Sequence, residues 1–303
     1  MGNIMNEKEK QLLYQHIREN ERIMGASRLA ILALNALIKS IRGLKCQACD
    51  FRSLYMDIAD ALKNAEPEIV PLNHLLEDFE TEMEPYFDGD SLKEIKKNAQ
   101  SLLEKGIKKI SADIDKVIIH GGKFIEEDDL IIVHTASSDI IRMLVKAKTV
   151  FNKNFKVLLL KQDFVKTRML IDALSEAAIP TTIIPEYSLG HYIDDATKLF
   201  IGASSITKDK KIICAPGTRN IASLCYLNQT PIYLFTVSLK FSHLLACNQK
   251  IHVETEKRWE NHCVYVLTAP SHDTLDFSLA TRLVTEKGTF TQKEAVDAYF
   301  PNS

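Results

Sequence analysis

Stretches of small and hydroxyl-bearing residues stand directly after apolar runs at three places in this sequence. They are His134-Thr-Ala-Ser-Ser138 after Leu130–Val133, Gly202-Ala-Ser204 after Leu199–Ile201, and Pro216-Gly-Thr-Arg219 after Ile212–Cys214. Small residues at strand ends let backbone N–H groups approach an anion, which is how parallel α/β sheets hold ligands along one edge. His134 adds a group able to orient a loop or carry a proton. Arg219 adds a guanidinium able to grip phosphate through two hydrogen bonds. A plainer reading stands beside this one. Lys198–Asn220 also suits a hairpin with ordinary turns, His134 a structural histidine, and Arg219 a surface salt bridge. Near the N-terminus, Gly25-Ala-Ser-Arg28 leaves room for close backbone approach by either a packed helix or a phosphate.

Cys46-Gln-Ala-Cys49 has metal or redox spacing. No second CxxC and no paired histidines follow it, so a four-ligand zinc site is not expected. The pair interrupts a helical region rather than a strand-to-helix junction, which argues against thioredoxin chemistry and for structural cysteines. The sequence contains no GxGxxG and no Walker pattern, and no cofactor is expected.

The elements that position these residues follow from periodicity. A helix is predicted over 6–40, with Leu29, Leu32, Ala33, Ala36 and Leu37 on one face and Ile31, Leu34 and Ile38 on a second. Further helices are predicted over Arg52–Asn64 and, after Pro67 and Pro71, over Leu72–Phe79. Ser91-x-x-Glu94 has the form of a capping box opening a long helix. Val117–His120 reads as a strand or as the end of that helix before Gly121-Gly122. From Asp129 strands alternate with helices: Leu130–Val133, Lys156–Leu160, Thr181–Ile184, Leu199–Ile201, Ile212–Cys214, Ile232–Phe235 and Cys263–Leu267. The intervening and following helices are predicted near 140–145, Phe164–Ala178, Leu189–Ala196, Asn220–Leu227, Leu275–Ala280 and Gln292–Tyr299. The fold class is therefore α/β: a helical N-terminal domain, 1–122, followed by a Rossmann-like, parallel-sheet C-terminal domain, 123–303.

Composition sets further bounds. With 303 residues, 46% of them hydrophobic, the chain can bury one large core or two smaller ones. A formal net charge of −2 gives no electrostatic case for direct nucleic-acid binding or for an anionic membrane surface. No apolar run approaches the length of a membrane span, and six cysteines without a signal peptide predict free thiols in a reducing, cytoplasmic setting.

Several blocks together carry a resemblance. They are Gly25-Ala-Ser-Arg28, Glu66-Pro-Glu-Ile-Val-Pro-Leu-Asn73, Leu130-Ile-Ile-Val-His-Thr135, Leu199-Phe-Ile-Gly-Ala203, Gly217-Thr218, Thr268-Ala-Pro270 and Thr285-Glu-Lys-Gly288. In order and spacing across nearly the whole chain, they resemble the α, β and δ subunits of eukaryotic initiation factor 2B. That family also contains methylthioribose-1-phosphate isomerase and archaeal ribose-1,5-bisphosphate isomerase. The resemblance implies a helical N-terminal domain, a Rossmann-like C-terminal domain carrying the pocket and a dimer interface, and a helix through His120. It implies a sugar-phosphate or nucleotide ligand held by Gly25, Ala26, Ser27, Arg28, His134, Ser137, Ser138, Gly217, Thr218 and Arg219. It also implies a translation-factor partner.

The isomerase members place a cysteine after the histidine of the first strand loop and an aspartate after the Gly-Ala of the fourth strand. Here those positions are Thr135 and Ser204, and neither hydroxyl exchanges protons usefully without an activating base. The arginine expected before Gly25 is Met24, and the Asn-Lys expected before Gly217 is Cys214-Ala215. The Glu-Ser-Arg-Pro expected after the second strand is Lys161-Gln-Asp-Phe164. These departures predict a non-catalytic protein, which together with the resemblance implies a ligand-sensing homodimer. The alternative is an aldose–ketose isomerase with relocated groups, in which Cys214 or Asp209 moves protons and Arg28, Lys161 or Arg219 replaces lost positive charge.

Overall fold

The computed structural model describes residues 12, 14–17, 19–20, 24–65, 68–87, 89–134, 137–161, 164–249, 251, 253–260 and 263–300. The chain divides into two compact units, Met1–Asp113 and Ile114–Ser303, and the division falls inside a helix.

The first unit is helical. It contains α1 (Ala26–Gly43), α2 (Phe51–Lys63), α3 (Val70–Phe87) and the first part of α4 (Leu92–Gly122). On α1 the buried face combines parts of both anticipated stripes, with Leu29, Leu34, Leu37 and Ile38 inward, while Leu32 is exposed. Pro71 stands in the first turn of α3, where its missing N–H costs nothing, so this helix is longer than the expected Leu72–Phe79. Tyr55 packs its ring 5.0 Å from Phe79 and 5.8 Å from Phe87. Its hydroxyl donates to Glu80 at 3.2 Å, and the same carboxylate takes the Lys63 ammonium at 2.7 Å.

Val117–His120 is helical, and α4 runs on to Gly122. Gly121 allows the end of α4 to press onto its neighbours. A Cβ there would stand 2.3 Å from Met143 Sδ and 2.7 Å from the Phe235 ring.

The second unit is built on a seven-stranded sheet. Its strands are β1 (Leu130–Val133), β2 (Lys156–Lys161), β3 (Thr181–Pro185), β4 (Lys198–Gly202), β7 (Ile232–Phe235), β11 (Arg282–Thr285) and β12 (Gly288–Thr291). The order is β12-β11-β7-β4-β1-β2-β3, every pair parallel except β11–β12. Helices α5 (Ser138–Thr149), α6 (Phe164–Glu176), α7 (Thr218–Leu227) and α8 (Gln292–Tyr299) complete the unit. Strands β1, β2 and β4 are buried for most of their length, as near-continuous runs such as Leu-Ile-Ile-Val and Val-Leu-Leu-Leu require.

Two expected strands do not join this sheet. Ile212–Cys214 lies in β6 (Lys211–Cys214), the centre of a three-stranded antiparallel sheet between β5 (Ser205–Ile206) and β10 (Asp273–Asp276). The reason is the short link from β5 to β6, since parallel neighbours need a crossover of about a dozen residues or more. Cys263–Leu267 lies in β9 (Cys263–Pro270), which pairs antiparallel with β8 (Val253–Glu260) as a separate ribbon. The sixth parallel strand is Arg282–Thr285 instead, a run whose central apolar pair is too short to declare itself. Leu275–Ala280, expected as a helix, is the end of β10 followed by a 3-10 turn over Phe277–Leu279. The region Leu189–Ala196 contains the end of one 3-10 turn and the whole of another rather than an α-helix. On the ribbon β9 is exposed along its whole length, and Trp259 is 75% exposed. Among the described residues no helix is long and apolar enough to cross a membrane.

At the start of the parallel strands a buried ion pair joins β4 to the segment entering β1. Lys198 Nζ lies 2.8 Å from Asp129 Oδ2 and donates to the Phe124 carbonyl at 2.9 Å. Asp129 also accepts from Thr197 Oγ1 at 2.8 Å and from the Glu126 N–H at 2.7 Å. Both side chains are under a tenth exposed. Burial by itself would lower the lysine pKa. Hydrogen bonds and charge from Asp129, then Glu126, outweigh it and hold the group above its usual 10.5.

Replacing Lys198 by Met strands the buried carboxylate and is expected to cost about 3–5 kcal/mol in chemical denaturation. Asp129→Leu in the same chain should recover part of that loss. Because the folded-state pKa is raised, the ammonium's contribution is complete below pH 10.5 and disappears as pH climbs through the folded value. Wild type should therefore lose stability on alkaline titration more steeply than the double variant.

Candidate functional site

Strand order reverses between β1 and β4. The chain leaves β1 towards β2 on one side and leaves β4 towards β7 on the other, the topology at which open α/β sheets place a ligand crevice beyond the carboxyl ends of the strands. His134 follows β1 directly, and Gly202 ends β4 with Ala203 and Ser204 following it.

His134 is 1% exposed, so both ring nitrogens must be satisfied within the protein. Nε2 lies 2.7 Å from Glu186 Oε1, and Nδ1 lies 3.1 Å from Thr218 Oγ1. An ionised carboxylate only accepts, so Nε2 carries the proton towards Glu186. Nδ1 faces the Thr218 hydroxyl, which is able either to donate to it or to accept from it. The Cys214 thiol donates to the Asp273 carbonyl at 3.7 Å, with Thr218 as a neighbour that favours its ionised form. Burial pushes that thiol up to about 12, and the Thr218 contact lowers it only in part. Cys214 is therefore protonated at neutral pH.

Gly217 makes this arrangement sterically possible. It caps α7 with φ +88°, a backbone conformation that favours glycine. A Cβ there would stand 2.8 Å from Glu186 Oε2 and 3.1 Å from His134 Nε2. Ser137 caps α5 with its Oγ 3.0 Å from the position of a Cβ on Gly202, so the bare end of β4 admits the serine. Ser138 Oγ donates to Asp139 at 3.3 Å. The Ser204 N–H donates to the Ile213 carbonyl at 2.8 Å and holds the turn out of β4. Lys240, which follows β7, is 6% exposed and donates to the Ala203 carbonyl at 2.8 Å.

The structure thus brings His134, Gly217 and Thr218 into one hydrogen-bonded group and sets Ser137 against Gly202. Arg219 lies at the start of α7 with an exposed side chain, and its backbone N–H donates to Asp273 Oδ2 at 3.0 Å. That helix end therefore already has an anionic partner. Gly25, Ala26, Ser27 and Arg28 open α1 in the first unit: Gly25 is the N-cap with φ +75°, Ala26 and Ser27 are buried, and Arg28 is exposed. Thr135 lies outside the described residues. Asp209 accepts from the Ala246 N–H at 2.9 Å. Sequence reasoning missed Glu186 and Lys240. Both stand just beyond the carboxyl ends of parallel strands, so examining every such end for charge would have found them. Among the described residues no group of three His, Cys, Asp or Glu side chains is placed to hold a metal ion.

Gly217→Ala should be destabilised by about 1–3 kcal/mol in thermal or chemical unfolding, from backbone strain and from displacement of the His134–Glu186 pair. Burial also pushes Cys225 up to about 12, whereas Cys49, Cys247 and Cys263 are exposed. Alkylation of the native protein at pH 8 should label the exposed cysteines and leave Cys214 and Cys225 unmodified by mass spectrometry.

The described initiation factor 2 subunit family model, IF-2B, matches residues 22–292. An eIF-2B subunit 2-like protein of Pyrococcus furiosus is 31% identical over 153 residues, covering 50% of this chain and 55% of that protein. The eIF2B delta subunit of Dictyostelium discoideum is 23% identical over 137 residues, 45% of this chain and 22% of that one. The chain spans about half the length of the first curated relatives it matches. Among solved structures, the eIF-2B of Pyrococcus horikoshii superposes with a TM-score of 0.77 at 20% identity, over 95% of this chain and 98% of that one. The 5-methylthioribose 1-phosphate isomerase of the same organism gives 0.74 at 16%, over 97% and 88%. These structural likenesses establish the α/β fold. With the family model spanning most of its length, the chain belongs to the initiation factor 2 subunit family.

Proposed function

We propose that this protein is a non-catalytic, ligand-sensing member of its family, a cytoplasmic homodimer that binds a sugar phosphate or nucleotide and acts on a translation-factor partner. One observation carries the ligand-sensing part. The crevice at the strand-order reversal is rigidly built around His134, yet the thiol beside it, Cys214, is held protonated by burial. Groups suited to binding are present there, and the relocated thiol nucleophile or base is not available. Ser204 stands where the isomerase pattern has its aspartate. The small residues at the strand ends and the buried Lys240 ammonium suit an anion. The likeness to a tetrameric eIF2B beta2–delta2 complex of C. thermophilum, at a TM-score of 0.69, and the exposed apolar side chains of the β8–β9 ribbon support self-association.

An aldose–ketose isomerase is the second reading. Its support is the fold shared with the methylthioribose phosphate isomerase and the Glu186 carboxylate at the crevice.

Thermal unfolding against a panel of sugar phosphates and nucleotides tests the proposal, with each stabilising compound then followed by NMR. A specific ligand at about a hundred times its Kd should stabilise by roughly 2.7 kcal/mol and remain chemically unchanged. Conversion of an aldose to its ketose would establish the isomerase instead, and light scattering that finds only monomers would overturn the homodimer.

A further inference from the structure

We infer that the helical first unit carries a ligand site of its own, for a neutral apolar molecule the size of a fused two-ring system. The site is a cavity of about 260 Å³ lined from α1, α3 and α4. Its walls are Leu34 of α1, Leu75 and Phe79 of α3, and Leu102, Leu103 and Gly106 of α4. Leu34, Leu75, Phe79 and Leu103 are buried, and none of these side chains offers a hydrogen bond. Gly106 keeps the hollow open. It stands inside the 31-residue α4, where glycine is a poorer helix former than alanine. Close packing does not demand it: a Cβ there would lie 3.5 Å from Leu75 Cδ2 and 3.9 Å from Leu34 Cδ1, ordinary contact distances. Gly121 of the same helix is different, since a Cβ there would stand 2.3 Å from Met143 Sδ. A longer side chain at Gly106 would run onto Leu75 and Leu34 and fill the cavity.

Two ion pairs complete the lining. Lys105 meets Glu82 at 2.7 Å and Lys109 meets Asp78 at 3.0 Å, each joining α4 to α3. All four side chains are exposed, and surface pairs of this kind are weakly held, so they part readily to admit a guest. Two ammoniums balance two carboxylates, which gives no advantage to a ligand with net charge of either sign. Cavities lined by leucine and phenylalanine stay dry and take aromatic guests, about 150 Å³ holding one benzene ring. The larger volume here matches a bicyclic guest such as indole.

Saturation-transfer NMR titration of the whole protein with indole as the probe tests this. Wild type should take up indole, and Gly106→Leu should weaken that binding at least about tenfold, because its side chain occupies the space. Gly106→Leu should also unfold at a higher temperature, as a filled cavity and a better helix former require. Gly106→Ala adds a methyl in ordinary contact, so it should fold and weaken indole less than the leucine does. Tryptamine and indole-3-acetate, which add a cation or an anion to the same rings, should bind wild type within about threefold of each other. A wild type that takes up no indole at low-millimolar concentration would overturn the site. So would indole binding that is unchanged in both variants, or a preference of about tenfold for one charged form, a comparison on wild type alone. No sugar phosphate enters these measurements, so their outcome is separate from that of the crevice ligand.

Discussion

The burial of one imidazole ring governs the architecture around the crevice. His134 is out of water, and leaving either ring nitrogen unpaired there would cost about 1–3 kcal/mol. Two of its partners come from separate places: Glu186 from the end of β3, and Thr218 from the first turn of α7. Satisfying this side chain therefore fixes three segments against one another. Gly217 follows from the same requirement, because any side chain there would occupy the space of the His134–Glu186 pair.

Charge at the two ends of the parallel strands does different work. At the amino ends, Lys198 and Asp129 neutralise each other in the interior and tie β4 to the entrance of β1. At the carboxyl ends, Glu186 meets a ring nitrogen of His134 after β1, and Lys240 donates to the Ala203 carbonyl after β4. The first pair is a closed structural pin. The second two side chains come from segments that follow different strands and stand at the strand-order reversal. Meanwhile Cys214, beside Thr218, is kept protonated by its burial.

Much of the site was legible from residue type. Small and hydroxyl-bearing residues after apolar runs marked the ends of β1 and β4 and the turn before α7, and His134, Gly217 and Thr218 do meet there. Glu186 was not legible. It lies 52 positions from His134, and only the β1–β2–β3 pairing brings them together. Lys240 was hidden for the same reason, since a lysine after a strand is usually solvated unless the fold buries it.

By itself the sequence determined most of the long helices, the helical first unit, and the strands whose apolar runs are buried on both faces. Those features depend on local periodicity, which each segment carries within itself. Tertiary structure decided partnership. Ile212–Cys214 and Cys263–Leu267 have the composition of central strands, yet their short links force antiparallel pairing outside the main sheet. Arg282–Thr285, weak in composition, takes the sixth parallel place because β7 offers it a ladder. Hydrogen bonding between strands and the burial of charge both depend on residues distant in sequence. They placed Glu186 against His134 and Lys240 against Ala203 only once the chain had folded.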